Sequence, residues 1–190
     1  VKIGYLGPEG TFTEQAARFY CQQGAHTECV ALASVEDVLE AVQKNTVDRG
    51  VVPVENSIEG PVNTTLDGLL SNVQLSITDE LTLAISQNLL TVPGAVIHEL
   101  TEVWSHPQAL AQCREFLRQL SVSVRQFEST AAAAQALTTG GRTDVAVIGS
   151  RGLTAAFPLT ILKNNVQDYM ENYTRFFVVG SSIRQISGTK

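Results

Sequence analysis

The sequence is poor in positive charge, in cysteine and in long apolar runs. Only 13 Lys and Arg stand against 19 Asp and Glu in 190 residues, a net charge of -6, and no stretch mixes Lys or Arg with aromatics. That balance argues against nucleic acid and against an anionic membrane surface as partners. No apolar run reaches the roughly 18 residues needed to span a bilayer, and Val1-Lys2-Ile3-Gly4-Tyr5-Leu6 lacks the anatomy of a signal peptide. The three cysteines, Cys21, Cys29 and Cys113, are odd in number and lack C-x-x-C spacing. Neither a disulfide framework nor a zinc site is expected from them, and a reducing cytoplasm suits the chain. His98 and His106 lack metal-ligand spacing and His26 falls in an expected loop, so no metal is expected.

What remains is an ordered, apolar chain, 44% hydrophobic and 17% charged, of a size that suits one large domain or two small lobes with a cleft. It begins at Val1 without Met, which suggests an excised piece. The pattern predicts strand at Ile3 to Leu6, helix from Thr11 to Gln23 with Thr11-x-x-Glu14 at capping-box spacing, strand at Glu28 to Leu32, helix from Ser34 to Lys44 capped by Ser34, and strand from Arg49 to Val54. The order β, α, β, α, β predicts an α/β sheet of mostly parallel strands, with ligands at their carboxyl ends.

A helix is predicted from Val62 to Leu70, and Leu75 to Leu90 reads as one unusually long strand of the kind that runs between lobes. A second α/β set follows: strand Glu102 to Ser105, helix Pro107 to Leu120, strand Ser123 to Phe127, helix Thr130 to Thr138, strand Asp144 to Ile148 and a short helix near Ser150 to Ala156. Cys113 shares a predicted helix face with Ala109, Phe116, Leu117 and Leu120, as a core residue would. Tyr173 to Gly180 is a final strand of β-branched and aromatic residues. If it returns to the first lobe, two crossovers form a hinge, with lobe one at 1–80 plus 175–190 and lobe two at 81–174.

Three polar segments interrupt this pattern: Gly7-Pro8-Glu9-Gly10-Thr11-Phe12, Pro53-Val54-Glu55-Asn56-Ser57 and Asn172-Tyr173-Thr174-Arg175-Phe176. Several predicted strands end in small polar residues and are expected to open a helix, at Thr11, at Asn56 and Ser57, at His106, at Ser129 and Thr130, and at Gly149 and Ser150. Helix N-termini offer unpaired N–H groups and partial positive charge, which suits anion binding in a chain with little Lys or Arg. Each such residue is also what a stable helix requires as a cap. Gly149-Ser150-Arg151-Gly152 lacks the first glycine of a G-x-S-x-G nucleophile motif. Strand alternation puts Thr174 and Phe176 on one face and Tyr173, Arg175 and Phe177 on the other. Thr174 and Arg175 therefore meet one ligand only across a bulge; otherwise Arg175 is a salt bridge.

These segments, with His106-Pro107-Gln108-Ala109-Leu110 and Ser129-Thr130-Ala131-x-Ala133, resemble the motifs of the prephenate dehydratase family, in the family's order, from Ile3 to Val179. The resemblance implies two Rossmann-like α/β lobes joined by two crossovers, similar to type 2 periplasmic binding proteins. It also implies an active site in the cleft that takes prephenate to phenylpyruvate with loss of water and carbon dioxide. It assigns the essential role to Thr174. Asn56, Ser57, Ser129 and Thr130 would hold the substrate, with Thr11, Gln108, Arg175 and Phe176 also in contact and His106 in support. Glu55 is either turned away to hold Asn56 and Ser57, or protonated and a donor. No cofactor is implied; a homodimer is.

Two other functions fit the same features. Arogenate dehydratase runs the same chemistry on the aminated substrate, and a non-catalytic solute-binding protein shares the two-lobe plan and the helix-end anion site. The family commonly carries a phenylalanine-binding regulatory domain, and some members carry a chorismate mutase. The chain stops at Ser187-Gly188-Thr189-Lys190, so the expectation is activity without feedback inhibition.

Overall fold

The computed structural model describes residues 1–22 and 28–181. The chain divides into two compact units, one of Val1–Pro8, Phe12–Ala84 and Tyr173–Lys190, the other of Glu9–Thr11 and Ile85–Asn172. The chain thus passes from one unit to the other after Ala84 and returns after Asn172, and Thr174 belongs to the first unit. Among the described residues no helix is long and apolar enough to cross a membrane.

In the first unit the elements are β1 (Lys2–Leu6), α1 (Phe12–Gln22), β2 (Glu28–Leu32), α2 (Val35–Gln43), β3 (Arg49–Asn56), β4 (Gly60–Pro61), α3 (Asn63–Ser71) and β5 (Leu75–Ala84), completed by the last strand of the chain, Tyr173–Ser181. Its sheet runs β2-β1-β3-last strand-β5, with β4 paired to β3. The pairs β1–β2 and β1–β3 are parallel, while the last strand is antiparallel to both β3 and β5. Side chains of successive strand residues point to opposite faces. Ile3, Tyr5, Val51, Phe176 and Val178 accordingly pack with Ala16 and Ala17 of α1, while Val52 and Val179 pack with Val35, Val38 and Leu39 of α2. Ser34 caps α2, its Oγ accepting from the Asp37 N–H at 3.0 Å, as the sequence predicts. Gly50 lets α2 lie close on β3, since a Cβ there would stand 2.7 Å from Val38 Cγ1.

The second unit comprises β6 (Asn88–Thr91), β7 (Glu102–Ser105), α4 (Pro107–Ala111), α5 (Arg114–Leu120), β8 (Ser123–Gln126), α6 (Thr130–Gly140), β9 (Val145–Gly149), α7 (Leu153–Ala156) and β10 (Thr160–Lys163); the last strand, Tyr173–Ser181, is β11. The sheet order is β10-β6-β9-β7-β8, with β7 parallel to β8 and β9, and β6 antiparallel to β9 and β10. Leu89, Val103 and Ile148 pack with Leu110, Cys113 and Leu117 on one face; Leu90, Trp104 and Val147 pack with Ala134, Leu137 and Leu153 on the other. Cys113 is fully buried, with Phe116 and Leu120 against the same cluster, and burial pushes its thiol up to about 12.

The fold class is α/β, but both sheets are mixed rather than mostly parallel, because β11 and β6 enter antiparallel. Leu75 to Leu90 is two strands, not one. Between them the backbone N–H of Ile85 is taken by the Asn172 carbonyl at 2.8 Å and that of Gln87 by the Gln167 side chain at 3.0 Å, so the ladder changes partners. The helix expected from Pro107 to Leu120 is broken at Gln112 and Cys113. Asp168 occupies the break: its N–H donates to the Gln112 carbonyl at 2.7 Å and its carboxylate accepts from the Glu115 N–H at 3.1 Å. Finally, Glu55 to Gly60 opens no helix. It closes the hairpin of β3 with β4, in which Asn56 faces Gly60, and α3 starts only at Asn63.

Candidate functional site

Thr174 is the second residue of β11 and lies directly opposite Asn56 of β3. The Asn56 amide donates to Thr174 Oγ1 at 2.9 Å and to the Tyr173 carbonyl at 3.2 Å. Its carbonyl oxygen accepts from the backbone N–H groups of Ile58 at 3.0 Å and Glu59 at 3.1 Å. An amide whose oxygen serves two N–H donors has its orientation set by the network, so the group facing Thr174 is the NH2. Thr174 Oγ1 is therefore an acceptor towards Asn56, and its own proton is directed elsewhere. Among the described residues that proton has no hydrogen-bond acceptor.

Ser57 secures the same corner. Its Oγ accepts from the Tyr173 N–H and its N–H donates to the Tyr173 carbonyl, both at 2.9 Å. Asn56 and Ser57 are thus not at a helix end, as expected from the sequence, but in a hairpin turn that clamps the start of β11.

The rest of Thr-Arg-Phe points away from this hydroxyl. A bulge does occur, the register shifting between Arg175, opposite Glu55, and Phe176, opposite Pro53, but the extra residue is Val54 of β3. Against β5, β11 keeps regular register from Tyr173 to Val178, so Arg175 stays on the face opposite Thr174. There it pairs with Glu80, Nε standing 3.2 Å from the carboxylate, and lies 5.3 Å from the centre of the Phe177 ring. The guanidinium is held above its usual range, first by the hydrogen bond to Glu80. Arg175 is thereby the salt bridge rather than a ligand beside Thr174. Phe176 is also corrected: it is 1% exposed, packed among Ile3, Tyr5, Ala16 and Val178, and is a core residue with no surface for substrate. Glu55, one position from Asn56 and opposite Arg175, is exposed on the Arg175 face. It is turned away from Thr174.

Of the remaining motif residues, His106 and Gln108 lie at the start of α4, Ser129 and Thr130 at the start of α6, and Thr11 immediately before α1. His106 caps α4, its Nδ1 accepting from the Gln108 N–H at 3.3 Å, which leaves Nε2 as the protonated nitrogen of the neutral ring. Gln108 is exposed and Thr11 half-buried. Ser129 caps α6, its Oγ accepting from the Ala132 N–H at 2.9 Å, and Thr130 adjoins Gly149. Gly10 has a φ of 86°, a region that favours glycine, and a Cβ there would meet Leu153 Cδ2 at 2.6 Å. Its carbonyl accepts from the buried Ser150 hydroxyl at 2.6 Å, so Ser150 is a structural donor and not a nucleophile.

A groove of about 740 Å³ is lined by His106, Pro107, Arg125, Gln126, Phe127, Glu128 and Ala132. Arg125, which no sequence motif singled out, stacks 5.3 Å from the Trp104 ring centre and 5.2 Å from that of Phe127. Phe127 lies two residues along the chain, whereas Trp104 comes from the adjacent strand, so local sequence holds only half of the stack.

The family model for prephenate dehydratase matches residues 3–184. The prephenate dehydratase of Bacillus subtilis (strain 168) is 38% identical over 183 residues, covering 94% of this chain and 64% of that protein. The bifunctional chorismate mutase/prephenate dehydratase of Aquifex aeolicus (strain VF5) is 40% identical over 182 residues, covering 94% of this chain and 48% of that one. Among solved structures, a prephenate dehydratase from Arthrobacter aurescens in complex with L-Phe matches with a TM-score of 0.85 at 32% identity, over 95% of this chain and 60% of that chain. The chain spans about half to two thirds of the length of these relatives.

Proposed function

The chain belongs to the prephenate dehydratase family, and on that premise we propose that it converts prephenate to phenylpyruvate with Thr174 as the catalytic residue. The observation that carries the reading is the hydrogen bond from the Asn56 amide to Thr174 Oγ1, which leaves the threonine proton as a donor.

In the reaction the bond from the ring to its carboxylate breaks, carbon dioxide departs, and the electron pair moves through the ring to expel the ring hydroxyl. One proton is taken up, the hydroxyl leaves as water, and the ring becomes aromatic. Aromatisation supplies the driving force, so the protein's task is to stabilise the departing oxygen and to orient the dianion. A threonine hydroxyl is too weak an acid to give up its proton freely. It acts as a hydrogen-bond donor whose contribution grows as negative charge builds on the leaving oxygen. Such a donor is worth roughly 2.7 to 4 kcal/mol in comparable sites.

Asn56 and Ser57 then serve chiefly to position Thr174. Ser129 and Thr130, at the start of the eleven-residue helix α6, present N–H groups suited to a carboxylate, and Thr11, His106 and Gln108 are proposed as further substrate contacts. Self-association into a homodimer is proposed from the family resemblance; light scattering reads it directly.

The deciding experiment incubates the purified chain with prephenate and with arogenate in parallel and follows phenylpyruvate and phenylalanine. Turnover of prephenate supports the proposal, turnover of arogenate alone replaces it with arogenate dehydratase, and binding without turnover of either makes the chain a solute-binding protein.

A further inference from the structure

Cysteine number and spacing predict no pairing, yet the fold brings two of the three thiols together. Cys21 lies in the last turn of α1 and Cys29 is the second residue of β2, and their Sγ atoms are 2.7 Å apart. β2 is hydrogen-bonded along its length to β1, and both cysteines pack on the cluster that Ile3 and Tyr5 of β1 form with Ala16 and Ala17 of α1. Both are half-buried, whereas Cys113 is 0% exposed.

We propose that Cys21 and Cys29 are a site of reversible oxidation, closing to a disulfide by exchange with a low-molecular-weight disulfide and tethering α1 to β2. The exchange balances in two steps. One cysteine thiolate attacks the reagent, breaking its S–S bond and releasing the first reagent thiol. The second cysteine then attacks the mixed disulfide, forming the Cys21–Cys29 bond and releasing the other. Two electrons pass from the protein sulfurs to the reagent, and the two cysteine protons end on the reagent's thiols. Proximity favours the second step, because the resolving thiol is already in contact with its target. In a reducing compartment the pair stays a dithiol; under oxidising conditions it closes.

The test treats the purified chain with oxidised glutathione, removes the reagent, denatures the chain in acid and counts the remaining thiols. The three thiols of the sequence should fall to one, the intact mass should drop by two hydrogens with no glutathione adduct, and a reductant should restore the count. Peptide mapping of the wild type locates the crosslink without relying on any variant. Cys21→Ser and Cys29→Ser should each fail to close and should hold glutathione on the remaining partner, and the oxidised wild type should melt a few degrees above the reduced form. Three persisting thiols, or a stable glutathione adduct on the wild type, would overturn the proposal.

Discussion

The side-chain amide of Asn56 donates to Thr174 Oγ1 at 2.9 Å across adjacent strands, between residues 118 positions apart in the chain. The amide cannot rotate, because its oxygen is held by the N–H groups of Ile58 and Glu59. One residue of a hairpin turn thereby makes the threonine oxygen of the adjacent strand an acceptor and leaves the hydroxyl proton directed elsewhere. A threonine bound the other way round would spend its proton on the protein and have nothing to offer a leaving hydroxyl.

Thr174→Ala should lower kcat by about 10²-fold or more, the loss expected for a donor that acts mainly in the transition state. The residue is half-buried and loses a methyl group and the hydrogen bond accepted from Asn56, so the melting temperature should fall by no more than a few degrees. Steady-state rates above a tenth of wild type would remove Thr174 from the chemistry.

Asn56→Asp keeps an acceptor for Ile58 and Glu59 but has no NH2 to donate. The carboxylate would instead attract the Thr174 proton, so kcat should fall by about 10-fold or more, a rise of roughly 1.4 kcal/mol in the barrier, while KM changes little. A variant that loses only substrate affinity, with kcat intact, would show that Asn56 holds substrate and does not position Thr174.

Arg175→Gln should leave kcat and KM close to wild type, because the guanidinium lies on the opposite face from Thr174 and is engaged by Glu80. The pair is exposed, so the melting temperature should move only slightly. A tenfold rise in KM for prephenate would restore Arg175 as a substrate anchor.

Arg142 links Asp144 and Glu102 at one end of the second unit's sheet, with N–O distances of 2.7 and 3.0 Å. Hydrogen bonds from Arg142 and then from Thr101 hold the Asp144 carboxyl well below its ordinary range. A carboxyl depressed in the folded state stabilises above its unfolded pKa, about 3.9, and that contribution fades as pH falls through the folded value. Asp144→Asn should therefore melt slightly lower than wild type at pH 7, with the gap narrowing below about pH 4. A gap that stays constant from neutral to acid pH would sink this account.

Residue patterns alone locate most elements. Glu28 to Leu32 and Glu102 to Ser105 are strands with the predicted bounds, because their apolar runs are short and flanked by polar residues, and Ser34 and Ser129 cap the helices they precede. The alternation of β11 correctly separates Thr174 from Arg175. Where the reading fails, a distant residue intervenes. Asp168 breaks the α4–α5 helix by bonding at Gln112 and Glu115, and Asn172 and Gln167 end the strand that begins at Leu75.

The family, the α/β class and the motif residues were determined by the sequence itself, since periodicity, caps and ordered motifs are local properties of the chain. Where each motif residue lies and what it touches was decided only by tertiary structure. Phe176 became core, Arg175 found Glu80 at a separation of 95 residues, and Asn56 turned from a presumed helix end into the partner of Thr174. Cys21 and Cys29 met across the α1–β2 unit although their spacing announced nothing. The physical reason is common: burial, a hydrogen bond, an ion pair or a thiol contact depends on distance in space, and the pairing of β11 with β3 and β5, and of β2 with β1, sets distances that no local pattern encodes.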